Sequence, residues 1–257
     1  GGRGRREGAL RGGGGRKFAR SMAQGGGIED WYRGLPKVTR GYMTAAMGTT
    51  VLVQLELLAP TLLFLDFEAV GTQLEVWRLM TNFVFFGGFG MPFCFSMLFL
   101  VRYGRELEAK RFEGRASDFL WCLMGIGLIQ IAVAFVMGSM PFLSSAMLSS
   151  IVYLWSREYS EQVLNIFGLF QVQGFYFPWV LMAMHVLMGG SPIADLVGIG
   201  SGHCYYFATD VQGYELRAPS MLRNFFDTQS PAQQRIANRQ NAFGGHQWGG
   251  GGQRLGG

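Results

Sequence analysis

The chain alternates between apolar runs of near-membrane length and short segments that hold nearly all of its charge. The run from Leu79 to Val101 has no formal charge and is entered by the pair Trp77-Arg78. About 20 largely apolar residues cross the hydrocarbon layer as a helix, and this run is that long. Five further runs, 41–58, 119–140, 142–155, 175–188 and 193–208, predict the other helices. Those of the second half are short for a bilayer of ordinary thickness. Residues 60–76 hold Asp66, Glu68 and Glu75 but no Lys or Arg, and their amphipathic pattern predicts a segment lying in or on the membrane. The expected fold class is an all-α membrane protein: a six-transmembrane-helix bundle with a membrane-embedded first loop.

Charge sets the expected orientation. The loop 102–115 has five basic residues, the flank before the first span three and the segment after Thr209 five, whereas the alternate loops hold only Arg78. The positive-inside bias therefore places both termini on the cytosolic side. The net charge of +5 comes from residues 1–21, which hold seven basic groups against Glu7, and without them the balance is 5 − 6 = −1. This Gly/Arg-rich segment is read as an extension or targeting remnant outside the fold, with Met22 as the start of the membrane domain, 22–211. It is not read as a nucleic-acid arm. Residues 212–257 are rich in Gly, Gln, Asn and Arg and are expected to form a flexible tail.

Cys94, Cys122 and Cys204 make neither a zinc spacing nor a disulfide framework, and the three histidines have no metal-ligand spacing, so no metal or cofactor is expected. The layout of six helices with an embedded loop is that of a rhomboid protease, which makes an intramembrane serine protease the sharpest enzyme hypothesis. Ser144, Ser145, Ser149 and Ser150 lie in the fourth run and His203 in the last. No serine there has a glycine neighbour, and without the close backbone approach that glycine permits an oxyanion site is hard to build. His203 follows Gly198 and Gly202, a Gly-x-x-x-Gly spacing that brings helices close, and reads as an interhelical hydrogen-bond partner. His185 reads as a lone polar group and Asp195 as a helix N-terminal charge.

Several motifs recur in one order: Trp31-Tyr32, Pro36, Thr39-Arg40, Trp77-Arg78 with Thr81-Asn82-Phe83, Leu107-Glu108, Gly114-Arg115, Tyr153-x-Trp155, Pro178-Trp179 and Gly198-x-x-x-Gly202-His203. Over about 22–211 the chain resembles the Derlins, rhomboid-like pseudoproteases of the endoplasmic reticulum. That resemblance implies a non-enzymatic role in moving misfolded proteins out of the endoplasmic reticulum for degradation. It implies misfolded substrates, a membrane-embedded RING ubiquitin ligase complex and homo- or hetero-oligomers as partners. It also marks Trp77, Arg78, Gly198 and Gly202 as functional positions. Physically, Trp77 prefers the headgroup level and Arg78 is expected to reach lipid phosphate, pinning the loop at the interface. A protein-import role in another membrane, such as that of a complex plastid, is the alternative that the N-terminal extension suggests.

The C-terminal stretch holds Trp248, Gly250, Gly252, Arg254 and Leu255. It resembles the short motif by which adaptors bind the N-domain of the valosin-containing AAA ATPase. An aromatic and an aliphatic anchor on glycine-rich backbone suit two shallow pockets, with Arg254 adding a charge contact. Glycine-rich low complexity is the plain alternative.

Overall fold

The computed structural model describes residues 27–138, 140–166 and 170–227. Its helices are α1 (Ile28–Arg33), α2 (Lys37–Gln54), α3 (Phe67–Thr72), α4 (Arg78–Thr81), α5 (Met91–Glu106), α6 (Ala116–Met137), α7 (Ser144–Glu158), α8 (Phe177–Leu187), α9 (Pro192–Tyr206) and α10 (Ser220–Phe226). Helix α7 is the axis: 12 of its 15 residues are buried, and α5, α6, α8 and α9 pack around it. A helix enclosed on all sides has no need of an amphipathic pattern. Among the described residues only α6, at 22 residues, is long and apolar enough to cross a membrane by length and composition.

Three parts of the expected fold change. The apolar run 79–101 is not one helix: α4 ends at Thr81, irregular chain follows, and α5 begins at Met91. Gly87 turns the chain with φ +91°, a conformation that suits glycine, and Pro92 stands in the first turn of α5. Irregular backbone in an apolar setting needs outside partners for its polar groups. Tyr42 Oη donates to Phe83 O (2.9 Å), Ser144 Oγ to Phe85 O (2.7 Å), Thr50 Oγ1 to Gly87 O (3.3 Å) and Leu143 N to Asn82 O (3.2 Å). The hydroxyls of α2 and α7 thus replace a helical ladder.

The fold is also not purely helical. Strands β1 (Val163–Ile166) and β2 (Phe170–Gln173) pair antiparallel, Val163 opposite Gln173, between α7 and α8. The hairpin is closed at its base by Gly174, whose amide donates to Gln162 O (2.7 Å); a side chain there would strike the Tyr159 carbonyl.

The ends of the helices are tied by carboxylates from distant segments. Glu108, buried in the π-helical turn Leu107–Arg111, accepts Val38 N (2.9 Å), Thr39 N (2.7 Å) and Thr39 Oγ1 (2.8 Å), and so caps α2 from across the bundle. Residues 212–227 lie within the expected tail yet are seated on the bundle. Asp118 Oδ1 accepts Ala218 N, Asp227 Oδ1 accepts Ser117 N, both at 2.8 Å, and Lys37 Nζ donates to Phe226 O (3.0 Å).

Candidate functional site

The loop before α5 is organised from within by Arg78. Its side chain is 7% exposed, and its guanidinium meets the Glu75 carboxylate (2.5 Å), Thr61 O (2.6 Å) and Phe64 O (3.1 Å), and lies over the Phe64 ring at 5.0 Å. The planar donor fork of arginine suits three acceptors in different directions, which an ammonium cannot match. The expectation that Arg78 reaches lipid phosphate is therefore corrected: burial and three internal acceptors hold it inside. Trp77 stays half-exposed on the outside of the same turn, where an interfacial anchor belongs. Thr81 Oγ1 bonds Leu63 O (3.2 Å) and Leu65 N bonds Pro141 O (2.8 Å), so the segment 61–65 is laced to the turns beside it.

The second motif forms the seam between α7 and α9. A Cβ on Gly198 would collide with the Ala146 carbonyl oxygen, and one on Gly202 would lie 3.2 Å from the Tyr153 ring and 3.3 Å from Ser150 backbone. The two glycines let the helix backbones touch. His203, exposed on the next residue, bonds Tyr153 Oη through Nδ1 (2.6 Å), and Arg157 Nε donates to the same oxygen (2.7 Å). His203 is thus the interhelical partner that its position suggests, and it is bonded to a phenol rather than to a serine. Deeper in the seam, Gln130 Nε2 of α6 donates to Ser150 Oγ (2.8 Å) and Ser201 Oγ (3.0 Å).

Sequence reasoning missed one cluster. Asp195, 2% exposed, accepts Ser149 Oγ on one oxygen and bonds His185 Nδ1 on the other, each at 2.7 Å. One carboxylate therefore joins α7, α8 and α9. The legible signal was that Asp195, Gly198 and Gly202 recur at three and four residues and share one face of α9. The order of partners matters chemically. In nucleophilic serine catalysis an imidazole takes the serine proton, with a carboxylate behind it; here the carboxylate stands between. Ser149 is also the sixth residue of α7, past the first-turn amides that a helix leaves free for an oxyanion. The adjoining cavity measures about 30 Å³, room for a water or two.

Trp248, Gly250, Gly252, Arg254 and Leu255, and the extension 1–21, lie outside the described residues. Among the described residues no cluster of His, Cys, Asp and Glu could hold a metal ion.

The architecture defines a class: a helical bundle around one buried polar helix, with a loop clasped by a buried arginine and a glycine seam. Residues 35–224 match the model of the Der1-like family, and the chain belongs to that family. It is 40% identical over 180 residues to Derlin-1.1 of Zea mays, covering 69% of this chain and 74% of that protein. Derlin-2.1 of Zea mays is 36% identical over 220 residues, 80% and 88% of the two chains. A probable derlin-2 homolog of Dictyostelium discoideum is 38% identical over 213 residues, 79% and 84%.

Proposed function

We propose that the protein is a non-proteolytic component of endoplasmic-reticulum-associated degradation, which promotes retrotranslocation of misfolded proteins and delivers them to a cytosolic AAA ATPase. In this reading it is a multi-pass protein of the endoplasmic reticulum membrane with both termini cytosolic, working beside a RING ubiquitin ligase complex. Family membership supports the pathway. The observation that carries the non-proteolytic part is the pairing of Ser149 with Asp195, which leaves the serine at the seam without an imidazole base. The apolar stretch 174–187 is about 21 Å long as a helix against a hydrocarbon layer of about 30 Å, a mismatch that thinning of the surrounding lipid would relieve. A thinner layer lowers the barrier to polar chain.

A fluorophosphonate serine probe applied to the protein in its membranes is expected to leave Ser149 unlabelled; labelling that vanishes in Ser149→Ala would overturn the reading. The ATPase part rests on Trp248 and Leu255. Removing a buried aromatic anchor costs about 2 kcal/mol, so a labelled peptide of residues 246–257 with Trp248→Ala should bind the isolated ATPase N-domain about 30-fold more weakly than the native peptide. Equal affinities would reduce the motif to glycine-rich filler.

A further inference from the structure

An open groove runs between α5 and α8, and its chemistry is not used by the function proposed above. Leu98 and Phe99 form one wall, Val180, Leu181 and Met184 the other, and the cavity between them measures about 130 Å³. A dry apolar cavity of about 150 Å³ admits a benzene-sized hydrocarbon, so this one takes several methylenes of an alkyl chain. Buried Phe177, which meets Phe99 at 6.1 Å and Tyr103 at 5.1 Å between ring centroids, backs the groove on the side of the bundle. Leu98 is half-exposed, which leaves the long side open to whatever surrounds the bundle.

The mouth of the groove is polar and cationic. Arg102 and Asn165 line it, and the Arg102 guanidinium is held over the Tyr103 ring at 5.7 Å. Arg102 is exposed and has no acidic partner among the described residues. Glu106, one turn further along α5, points elsewhere: its carboxylate accepts Trp155 Nε1 at 2.6 Å. An unpaired guanidinium beside an amide, at the head of an apolar slot, has the donors for a phosphate and the walls for its hydrocarbon.

We propose that this groove is a binding site for an anionic phospholipid of the leaflet on the β-hairpin side, with the phosphate on Arg102 and Asn165 and an acyl chain between Leu98 and Met184. The occupant follows from charge complementarity. A zwitterionic headgroup such as that of phosphatidylcholine is neutral overall, whereas an anionic headgroup brings a net negative charge to a mouth that holds a cation. The inference takes from the proposed function only that the helices lie in a bilayer, and it is independent of retrotranslocation.

The test is photolabelling of the full chain in vesicles of phosphatidylcholine containing one-fifth, roughly, of phosphatidylserine. A diazirine is placed on the acyl chain of either lipid, and labelled peptides are located by mass spectrometry. Leu128, a highly exposed position on α6, reports lipid that merely surrounds the protein. The expected result is severalfold more label from phosphatidylserine than from phosphatidylcholine on peptides with Leu98 and Val180, and equal label from both at Leu128. Arg102→Gln should bring the phosphatidylserine label at Leu98 down to the phosphatidylcholine level. Val180→Trp, which fills the slot and leaves Arg102 in place, should lower label from both lipids there. Equal preference at Leu98 and Leu128, or an Arg102→Gln profile like that of the native chain, would overturn the site. Label absent from the groove but present at Leu128, as when a polypeptide segment occupies the slot, would also overturn it.

Discussion

Arg78→Ala is expected to release the loop before α5 from the bundle. The substitution strands Glu75 with 17% exposure and removes the donor from Thr61 O and Phe64 O, the two carbonyls that shape the turn at 61–64. Removing one partner of a buried ion pair costs about 3 kcal/mol or more, since the other charge stays behind without compensation. Local opening of residues 55–81 should then be on the order of 100-fold more frequent, read as faster hydrogen–deuterium exchange in that segment while α6 and α7 stay protected. Arg78→Lys should rescue little, because one ammonium cannot serve an acid and two carbonyls in the plane of a fork. Trp77→Ala, at an exposed position that bonds none of these groups, should leave the exchange of the loop unchanged.

Gly198→Ala is expected to wedge α7 from α9. The added methyl meets backbone, the Ala146 carbonyl, which cannot swing aside as a side-chain tip would. Overpacking of this kind costs about 3 kcal/mol. Two other glycines of the same helix are less crowded. At Gly202 the new contacts, 3.2 and 3.3 Å, call for shifts of a few tenths of an ångström, so Gly202→Ala should cost about 1 kcal/mol. At Gly200 a methyl meets nothing within 4 Å, and alanine is the better helix former, so Gly200→Ala should cost nothing. Thermal unfolding of the purified variants in detergent should rank Gly200→Ala with or above the native chain, then Gly202→Ala, then Gly198→Ala. A uniform loss across the three would mean that helix propensity, not the seam, decides.

The glycine seam was legible because a four-residue spacing of glycines on an apolar helix has few other uses, and the structure places it as read. The loop was half legible. Charge and hydropathy set 60–76 apart from the spans, yet Arg78 was misplaced, since its partners are backbone carbonyls of Thr61 and Phe64 and carbonyls leave no mark in a sequence. The break in 79–101 escaped for a related reason. Hydropathy sees apolar side chains in both helix and irregular chain, and the hydroxyls that satisfy residues 82–88 come from Tyr42, Thr50 and Ser144, far away in the sequence. His185 and Asp195 are ten residues apart on different helices, and Ser149 lies on a third. Each looks solitary on its own helix, and only packing makes them one group.

The central claim, export without cleavage, is tested most directly by following a misfolded luminal reporter in cells stripped of their own Derlins, with this chain supplied in full. The reporter is expected to reach the cytosol at full length, and its clearance to stop with Arg78→Ala while the protein stays in the membrane. Reporter that emerges as fragments cut at its membrane segment, or a clearance rate no higher with the chain than without it, would contradict the account.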